Sequence, residues 1–492
     1  MSAKRGSALE RLAVRDGRVV DPTGHRVHLR GVNIGGWMNL EHFLAGYPGT
    51  ESGLRRAMAQ RLGSRATFFF ERLRDYWFTD EDAAFIAASG LNTVRLPLNY
   101  RHFEADDRPL EYLERAFETL DRAIDCCARH GLYVILDLHA VQGWQNGDWH
   151  ADNASRHALF WVDRGYQDRF VALWREIARR YAGRPVVVAY DLMNEPLSNA
   201  PYGRFGPDGG YQPDWPALQN VYRRTVEAIR EVDPEPIIIL EGDDYATRFA
   251  GLGTPFDDAL IYSSHEYIPP ATDPIAAFPV TIGGRFWNGD TIRRQFEEGE
   301  GRRFSKAHGV DLLVGEFGIN IAVDGRDESA KLAVFESEIE AFEAAACHWT
   351  FWSYKGIGPM SWVYAKPSSA YARRIAPVLA AKAKLGVDFG WLAGFPARVQ
   401  GPIDALGDAI EEAIPGLDRA ANRRYLGQAA IAGYAAEQLQ SVYVDCFADL
   451  SEAEIDETLA SFALAECVER TSMTALLRGW VRPDQASSGE QS

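Results

Sequence analysis

Cysteine is scarce in this sequence, and the spacing of the few that occur suits neither a disulfide framework nor a zinc site. The 492 residues include five cysteines: Cys126, Cys127, Cys347, Cys446 and Cys467. Their number is odd, and no two of them have CxxC spacing. We therefore expect neither structural disulfides nor a bound metal.

Positive charge is also in deficit. Lys and Arg total 52 against 69 Asp and Glu, which gives a net charge of -17. A surface of this sign repels phosphate backbones and anionic lipid headgroups. The sequence therefore argues against nucleic acid as a partner.

Long apolar segments are absent as well. No run approaches the 18 apolar residues that a membrane-spanning helix needs, and the basic start, "MSAKRGSALERLAVRDG", lacks the apolar core of a secretion signal. We expect a soluble, cytoplasmic protein with no membrane insertion. With 46% hydrophobic residues, the chain has ample material for one large domain with an appendage, or for two or three smaller domains.

The apolar residues occur in short runs that alternate with segments of helical period, which is typical of repeated β/α units. Eight runs are rich in Val, Ile, Leu and Tyr. They are "HLRGVNIGG" from 28, "TVRLPLN" from 93, "YVILDLH" from 133, "VVAYDLMNE" from 187, "PIIILEG" from 236, "LIYSSHEY" from 260, "LLVGEFG" from 312 and "HWTFWSYK" from 348. Eight strands with intervening helices predict an α/β fold, a (β/α)8 TIM barrel with long loops on its catalytic face.

An open doubly wound sheet is the alternative architecture. It usually carries a glycine-rich phosphate loop after its first strand, with GxGxxG or GxxxxGK[ST] spacing. The sequence "GVNIGGWMNLE" has neither spacing. We therefore assign residues 28–385 to a barrel.

The segments that flank the barrel have their own patterns. Residues 1–27 read as a hairpin with turns at Asp16-Gly17 and Thr23-Gly24, which we expect to cap the barrel. Residues 400–481 are Ala-rich with helical period and predict a helical appendage, where Ser451 and Glu454 have capping-box spacing. We expect this appendage to serve packing or assembly rather than chemistry, and residues 482–492 to form a disordered tail.

Polar residues stand at or near the ends of most of the predicted strands. In a TIM barrel these ends open onto the catalytic face, so such residues are candidates for function. They are Arg95, His139, Asn194, Glu195, His265, Tyr267, Glu316 and Trp352.

Each of these residues alone has a structural explanation. Buried glutamates such as Glu195 and Glu316 could simply pair with Arg95, and single histidines or tryptophans often belong to a core. Their joint occurrence at strand ends favours a common site. Two carboxylates across a pocket, without metal ligands or a nucleophilic serine or cysteine motif, suit hydrolysis of a glycosidic bond.

The two carboxyls would need different protonation states. Arg95 and the hydroxyl of Tyr267 would stabilise the charge on one glutamate, and that charge would raise the pKa of the other. Trp352 would offer a flat apolar face to a sugar ring, and Asn194 a hydrogen bond to its 2-hydroxyl. No cofactor is expected.

These motifs resemble glycoside hydrolase family 5, the cellulase family of retaining (β/α)8 enzymes, over about residues 20 to 370. The resemblance implies that Glu195, within "NEP", is the acid/base and that Glu316, within "GEFG", is the nucleophile. The family's strand-end positions are matched by Arg95, His139, His265, Tyr267 and Trp352.

Within that family, "RGVNIGGW" and "HAVQGWQNG" look most like the exo-β-1,3-glucanase and β-glucosidase branch. This likeness implies that Glu41 and Asn146 contact the terminal sugar. We also expect long loops to bring five aromatic residues to the rim as walls of a pocket for chain ends, although these residues could instead pack the loops. They are Trp144, Trp149, Trp161, Tyr211 and Trp287.

The sequence therefore predicts a retaining β-glycosidase that removes sugar from the non-reducing end of β-glucosides or short β-glucans. An endo-acting β-glucanase, a glycolipid or aryl glycoside hydrolase, a transglycosylating enzyme and a non-catalytic carbohydrate-binding barrel stay open. A metal-dependent amidohydrolase would need an HxH motif in the first strand, which offers only "GVNIGG". The oligomeric state is not predicted.

Overall fold

The computed structural model describes residues 9–199, 211–322, 324–388, 394–417 and 419–481. Eight strands form a closed parallel barrel in chain order, and each of the eight predicted runs contains one of them. They are β1 (Arg30–Asn33), β2 (Thr93–Asn99), β3 (Tyr133–Ala140), β4 (Val187–Asp191), β5 (Ile237–Glu241), β6 (Leu260–His265), β7 (Leu312–Glu316) and β8 (His348–Phe351). The predicted TIM barrel is confirmed.

Helices cover the outside of the barrel in the crossovers between strands. Those of eight or more residues are Glu51–Leu62, Arg65–Trp77, Asp80–Ala88, Glu114–Arg129, Arg164–Tyr181, Trp215–Arg230, Gly289–Glu298, Glu300–His308, Glu328–Ala344 and Ala370–Leu385. Short helical turns lie at His42–Ala45, Tyr100–His102, Trp149–Ala151, Leu159–Trp161, Asp243–Ala246 and Pro269–Thr272. Two-stranded ribbons pair Glu104–Ala105 with Arg108–Tyr112 and Val280–Ile282 with Arg285–Trp287.

Local sequence explains why a crossover segment becomes a helix. In Glu114–Arg129 the apolar residues Phe117, Leu120, Ile124 and Cys127 recur every three or four positions and are all buried. They form one stripe that packs against the barrel. Gly131 follows with a φ of 71°, a left-handed conformation that glycine adopts without steric cost, and the chain turns there into β3.

The amino-terminal end of the barrel is closed by a hairpin of strands Ala13–Arg15 and Arg18–Val20. Val19 packs with inward-facing residues of the barrel strands, including Ile135 and Ile237. Its backbone N–H donates to Asp311 Oδ2 at 2.8 Å. The hairpin is thereby tied to the residue that precedes β7.

The helical region after the barrel comprises Ala397–Ala413, Arg419–Gly427, the π-helical Gln428–Ala435, Ala436–Gln438, Gln440–Asp445, Glu452–Leu459 and Thr471–Trp480. One strand in this region, Cys467–Glu469, pairs with Val363–Ala365, which lies after β8. Residues 482–492, the predicted tail, lie outside the described residues.

Polar contacts join this region to the loop that follows β1. Glu437 Oε1 accepts hydrogen bonds from the backbone N–H and the hydroxyl of Thr50, both at 2.7 Å. The hydroxyls of Tyr371 and Tyr443 lie 2.7 Å apart in the core between the barrel and the appendage. The appendage therefore packs on the catalytic side of the barrel. Within the part of the chain that the structure describes, no helix is long and apolar enough to cross a membrane.

Candidate active site

The interior of the barrel is organised around Arg95, which projects from β2 and is 0% exposed. Its guanidinium donates to Asp191 Oδ2 at 2.9 Å, to Glu316 Oε1 at 2.9 Å and to Glu241 Oε1 at 3.0 Å. Asp137 Oδ2 lies 3.1 Å away. Four carboxylates around one buried guanidinium fix the positions of strands β3, β4, β5 and β7 relative to each other, and only one of the four, Glu316, lines the cavity described below.

Glu316 ends β7 with both carboxyl oxygens bound. Oε1 accepts from Arg95, and Oε2 accepts from the hydroxyl of Tyr267 at 3.0 Å. Burial raises the pKa of the Glu316 carboxyl, and the positive charges of His265 and Arg95 oppose that rise. Two charge-assisted hydrogen bonds hold this carboxylate in one orientation.

Glu195 follows β4 and has a left-handed backbone, with φ of 48°. Its N–H donates to Glu241 Oε2 at 2.7 Å, which stabilises this strained turn. His265 Nδ1 lies 2.7 Å from its Oε1, and His150 Nε2 lies 3.1 Å from its Oε2. The turn after β4 thus places the buried Glu195 carboxylate next to two imidazoles, which offset the free-energy cost of removing it from water.

The two imidazoles decide the protonation of Glu195. Burial raises the pKa of its carboxyl, but the hydrogen bond from His265 and the positive charges of His150 and His265 outweigh burial and lower that pKa to about 2. The pKa of His265 is raised well above its usual value, since burial is outweighed by the charges of Glu241 and Glu316. With His265 protonated, Glu195 is a carboxylate, so it must gain a proton before it can act as an acid.

Ligand atoms of Glu195, His265 and Glu316 all lie within 4.8 Å of one another. Such a cluster is close enough to hold a cation. Each member is already bound within the site, Glu316 by Arg95 and Tyr267 and Glu195 by His265. The expected absence of a metal stays a prediction.

His139, Glu41 and Trp352 form the opposite wall of the site. His139 Nδ1 lies 2.8 Å from Asp137 Oδ2, and its Nε2 lies 3.3 Å from Glu41 Oε1. Burial lowers the pKa of His139, but Asp137 and Glu41 more than compensate and raise it to about 10. The Trp352 ring stacks on His139 with centroids 5.3 Å apart, leaving a flat indole surface at the cavity wall.

These groups line a cavity of about 390 Å³, which also reaches Phe43, Tyr245, Glu266, Gln295, Glu300 and Met360. Of the five aromatic residues expected at the rim, only Trp149 lines it. Trp144 Nε1 and Trp161 Nε1 instead donate to the backbone oxygens of Asp152 and Gln145, and Trp287 is buried. Most of these aromatic residues therefore pack the loops, which was the alternative to a role as pocket walls.

Asn146 and Asn194, both predicted to contact the substrate, are bound to other groups of the protein. Asn146 does not line the cavity, because its amide is bound within the protein: Nδ2 donates to the backbone oxygen of Glu195 at 2.9 Å, and Oδ1 accepts from the Asp148 N–H at 2.9 Å. Asn194 Oδ1 accepts from Arg95 at 2.9 Å. Its buried Nδ2 has no hydrogen-bond partner among the described residues, which leaves a donor beside the two glutamates.

The helical appendage, which is expected to serve packing or assembly rather than chemistry, also forms part of the cavity wall. Arg424 and Gln428, from consecutive helices of the appendage, line the cavity. Gln428 also contacts Arg156, which forms a buried ion pair with Asp148 at 2.9 Å. The hydroxyl of Tyr245 donates to the same aspartate. The appendage is therefore joined to the loop that carries Trp149 and His150.

Sequence reasoning missed several groups that hold the site together. Asp137, Asp191 and Glu241 lie within or at the end of apolar strands, and an acidic residue in such a run was a signal that could have been read. His150 and Arg424 follow no motif, and only the folded chain brings them to the cavity.

Comparison with known proteins agrees with this geometry. The family model described as cellulase (glycosyl hydrolase family 5) matches residues 62–358. A β-xylosidase of Phanerodontia chrysosporium is 33% identical over 488 residues, or 95% of this chain and 97% of the relative. A probable glucan 1,3-β-glucosidase A of Emericella nidulans is 28% identical over 373 residues, or 68% of this chain and 87% of the relative.

A solved glycoside hydrolase structure has the same fold, with a TM-score of 0.50 and 21% identity over 72% of this chain and 99% of its own. Together with the closed barrel, these matches confirm the resemblance seen in the sequence. The chain belongs to glycosyl hydrolase family 5, whose members hydrolyse O-glycosidic bonds with retention of configuration.

Proposed function

We propose that the protein is an exo-acting β-glycosidase that releases one sugar at a time from β-glucosides or short β-glucan oligosaccharides. The observation that carries the proposal is the pair Glu195 and Glu316, whose carboxyl oxygens lie within 4.8 Å in the cavity. A carboxyl separation of ~5 Å suits double displacement, and inverting enzymes need a wider gap for water.

The contacts of the two glutamates favour their roles. Glu316, held by Arg95 and Tyr267, would attack the anomeric carbon as a carboxylate. Glu195 would give its proton to the departing oxygen and later take one from water. Asn194 Nδ2, which lacks a partner among the described residues, would donate to the sugar's 2-hydroxyl.

The shape of the cavity supports action at chain ends. A volume of about 390 Å³ lies near the lower end of the ~300–1,000 Å³ typical of small-ligand sites, and accommodates a short ligand. Arg424 and Gln428 add a wall that a bare barrel would lack. Glu41, buried beside His139, would accept hydrogen bonds from hydroxyls of the terminal sugar.

A β-xyloside is the second candidate substrate. The relative that is 33% identical over nearly the whole chain is named as a β-xylosidase. Glucosides and xylosides differ at C5 of the ring, and parallel assays of the two nitrophenyl β-glycosides decide between them.

We predict that the first sugar released from either glycoside is the β-anomer. Two successive displacements at one carbon, the first by Glu316 and the second by water, restore the original configuration. Proton NMR in the first minutes of hydrolysis distinguishes the anomers before mutarotation. Initial release of the α-anomer would contradict the assignment of Glu316 as nucleophile.

We also predict that monosaccharide is the first product from β-linked gluco- and xylo-oligosaccharides. The enclosed cavity holds the non-reducing end, so each cleavage shortens the chain by one unit. Time-resolved chromatography of an oligosaccharide of six units gives the order of products. Early fragments of intermediate length would show internal cleavage and rule out the exo-acting model.

A further inference from the structure

A second cavity, of about 370 Å³, lies outside the active site. It is bounded by the helices Glu51–Leu62 and Arg65–Trp77, the start of the helix Glu114–Arg129 and the turn Tyr100–His102. Of the described residues, none lines both this cavity and the catalytic one. A ligand in the second cavity would therefore not occupy the place of the sugar.

The second cavity is rich in guanidinium groups, although the chain as a whole has a net charge of -17. Four arginines line it, and they are Arg55, Arg74, Arg101 and Arg115. Three carboxylates line it as well, and they are Glu51, Glu71 and Asp152. An excess of cationic side chains within one cavity of an acidic protein favours the approach of an anion.

Each of the three carboxylates already has an arginine as its partner. The ion pairs are Glu51 with Arg55 at 2.7 Å, Asp152 with Arg101 at 3.2 Å, and Glu71 with Arg115. Among the described residues that line the cavity, no carboxylate is left for the fourth arginine.

That fourth arginine is Arg74, on the helix Arg65–Trp77. It is partly buried, and its guanidinium makes neither an ion pair nor a hydrogen bond with any residue that the structure describes. The neighbouring carboxylate of Asp75 instead pairs with Arg72 at 2.8 Å. Burial and the positive charge of Arg55 lower the pKa of Arg74 to about 10. A partly desolvated cation without a counter-charge is unfavourable, so an anion beside it would be stabilised.

Other parts of the cavity wall are apolar. Met38, Phe70 and Ala116 line it and are almost fully buried. The guanidinium of Arg55 lies over the Phe70 ring, 4.0 Å from its centroid, and is thereby held beside this apolar surface. The volume exceeds the space that a bare phosphate or carboxylate group needs. The cavity therefore suits a ligand that joins an anionic group to an apolar body.

We propose that the second cavity binds a small organic oxyanion, either a phosphate monoester or a carboxylate. Arg74 would pair with the anionic group, while Phe70 and Met38 would contact the apolar body. A guanidinium can donate two parallel hydrogen bonds to either kind of oxyanion, which gives the pair its geometry as well as its energy. The site goes beyond the proposed glycosidase function and does not depend on it.

Isothermal titration calorimetry with phenyl phosphate tests the proposal, at a constant ionic strength because salt screens charges. Wild-type protein should bind it at a single site. Phenol has the ring without the anion and should not bind. Inorganic phosphate has the anion without the ring, so its Kd should be about tenfold higher or more. Benzoate compares the two oxyanions, since the tighter of phenyl phosphate and benzoate identifies the anionic group that the cavity prefers.

Arg74→Gln should raise the Kd for phenyl phosphate by about tenfold or more, because it removes the charge that pairs with the anion. Arg56→Gln is the matched control, since Arg56 is exposed on the helix Glu51–Leu62 and does not line the cavity. This variant should bind like the wild type. Arg74→Gln loses no contact of the guanidinium with a described residue, so its unfolding temperature without ligand should not fall.

Saturating phenyl phosphate should raise the unfolding temperature of the wild type and of Arg56→Gln, but not that of Arg74→Gln. If Arg74→Gln does not fold, Arg74→Lys decides, because it keeps the charge but lacks the fork and should raise the Kd by about threefold or more. Wild-type protein that binds phenyl phosphate no better than phenol would overturn the proposal. Equal Kd values for the Arg74 and Arg56 variants would overturn it as well.

Discussion

Glu316→Ala is expected to lower kcat/KM for every β-glycoside by about five orders of magnitude, because it removes the proposed nucleophile, which would form the covalent intermediate. The loss should not depend on the leaving group, since attack on the anomeric carbon is part of the first step with every substrate. Arg95 keeps Asp137, Asp191 and Glu241 as partners, so the variant should fold. Stopped and continuous assays with alkyl and dinitrophenyl glycosides measure the effect.

Azide gives this prediction a second readout. In Glu316→Ala a small anion can occupy the vacated volume and attack once, which inverts the configuration and gives the α-glycosyl azide. The matched control is Glu336→Ala, which removes an exposed carboxyl from the helix Glu328–Ala344 and should leave kcat/KM unchanged. A β-azide from the Glu316 variant would assign the nucleophile to another residue.

Glu195→Ala should have the second-largest effect, and this effect should depend on the leaving group. Alkyl glycosides need a proton on the departing oxygen, so their kcat/KM should fall by roughly 10²- to 10⁴-fold. Dinitrophenyl glycosides need no such proton, so they should still form the intermediate with Glu316. Hydrolysis of this intermediate should then be slow, because no general base activates the water. A rapid burst of dinitrophenol followed by slow turnover is the expected time course.

Azide should accelerate that slow phase, because it attacks the intermediate without needing a base. Two displacements then give the β-glycosyl azide, the opposite anomer to that expected from the Glu316 variant. Glu118→Ala, an exposed carboxyl on the helix Glu114–Arg129, is the matched control. Equal losses on alkyl and dinitrophenyl substrates would remove Glu195 from the acid/base role.

The parts of the site that follow from local sequence could be predicted. A parallel barrel brings the carboxyl ends of all its strands to one face, so a polar residue at the end of an apolar run is directed to a common site. This rule places His139, Asn194, Glu195, His265 and Glu316 together without knowledge of their distances. Trp352, immediately after β8, follows from the same rule.

The interior network could not be predicted in the same way. Arg95 meets Asp191 and Glu241 only because the register of the strands sets these side chains at one level of the barrel. Nothing near Glu241 in the sequence marks it as the group that receives the N–H of Glu195. Contacts across a closed sheet depend on shear and tilt, which a single strand does not reveal.

The loops and the appendage were the least predictable. Tryptophans such as Trp144 and Trp161 are typical of sugar-binding walls, but long loops also need small cores of their own. The indole N–H groups of these two residues donate to the loop backbone instead. Arg424 and Gln428 belong to helices with dispersed charges, and helical period alone does not say which face meets the barrel.

The wall formed by Arg424 and Gln428 sets an order of assembly. A ribosome completes β8 well before it makes these residues, and domains generally fold as units from the amino-terminal end during synthesis. The barrel and both glutamates are therefore made before the part of the cavity wall that Arg424 and Gln428 form. The cavity gains this wall only when the helices that carry Gln428 and Glu437 dock on Arg156 and Thr50, so the proposed selectivity for chain ends would arise later in synthesis than the pair of glutamates.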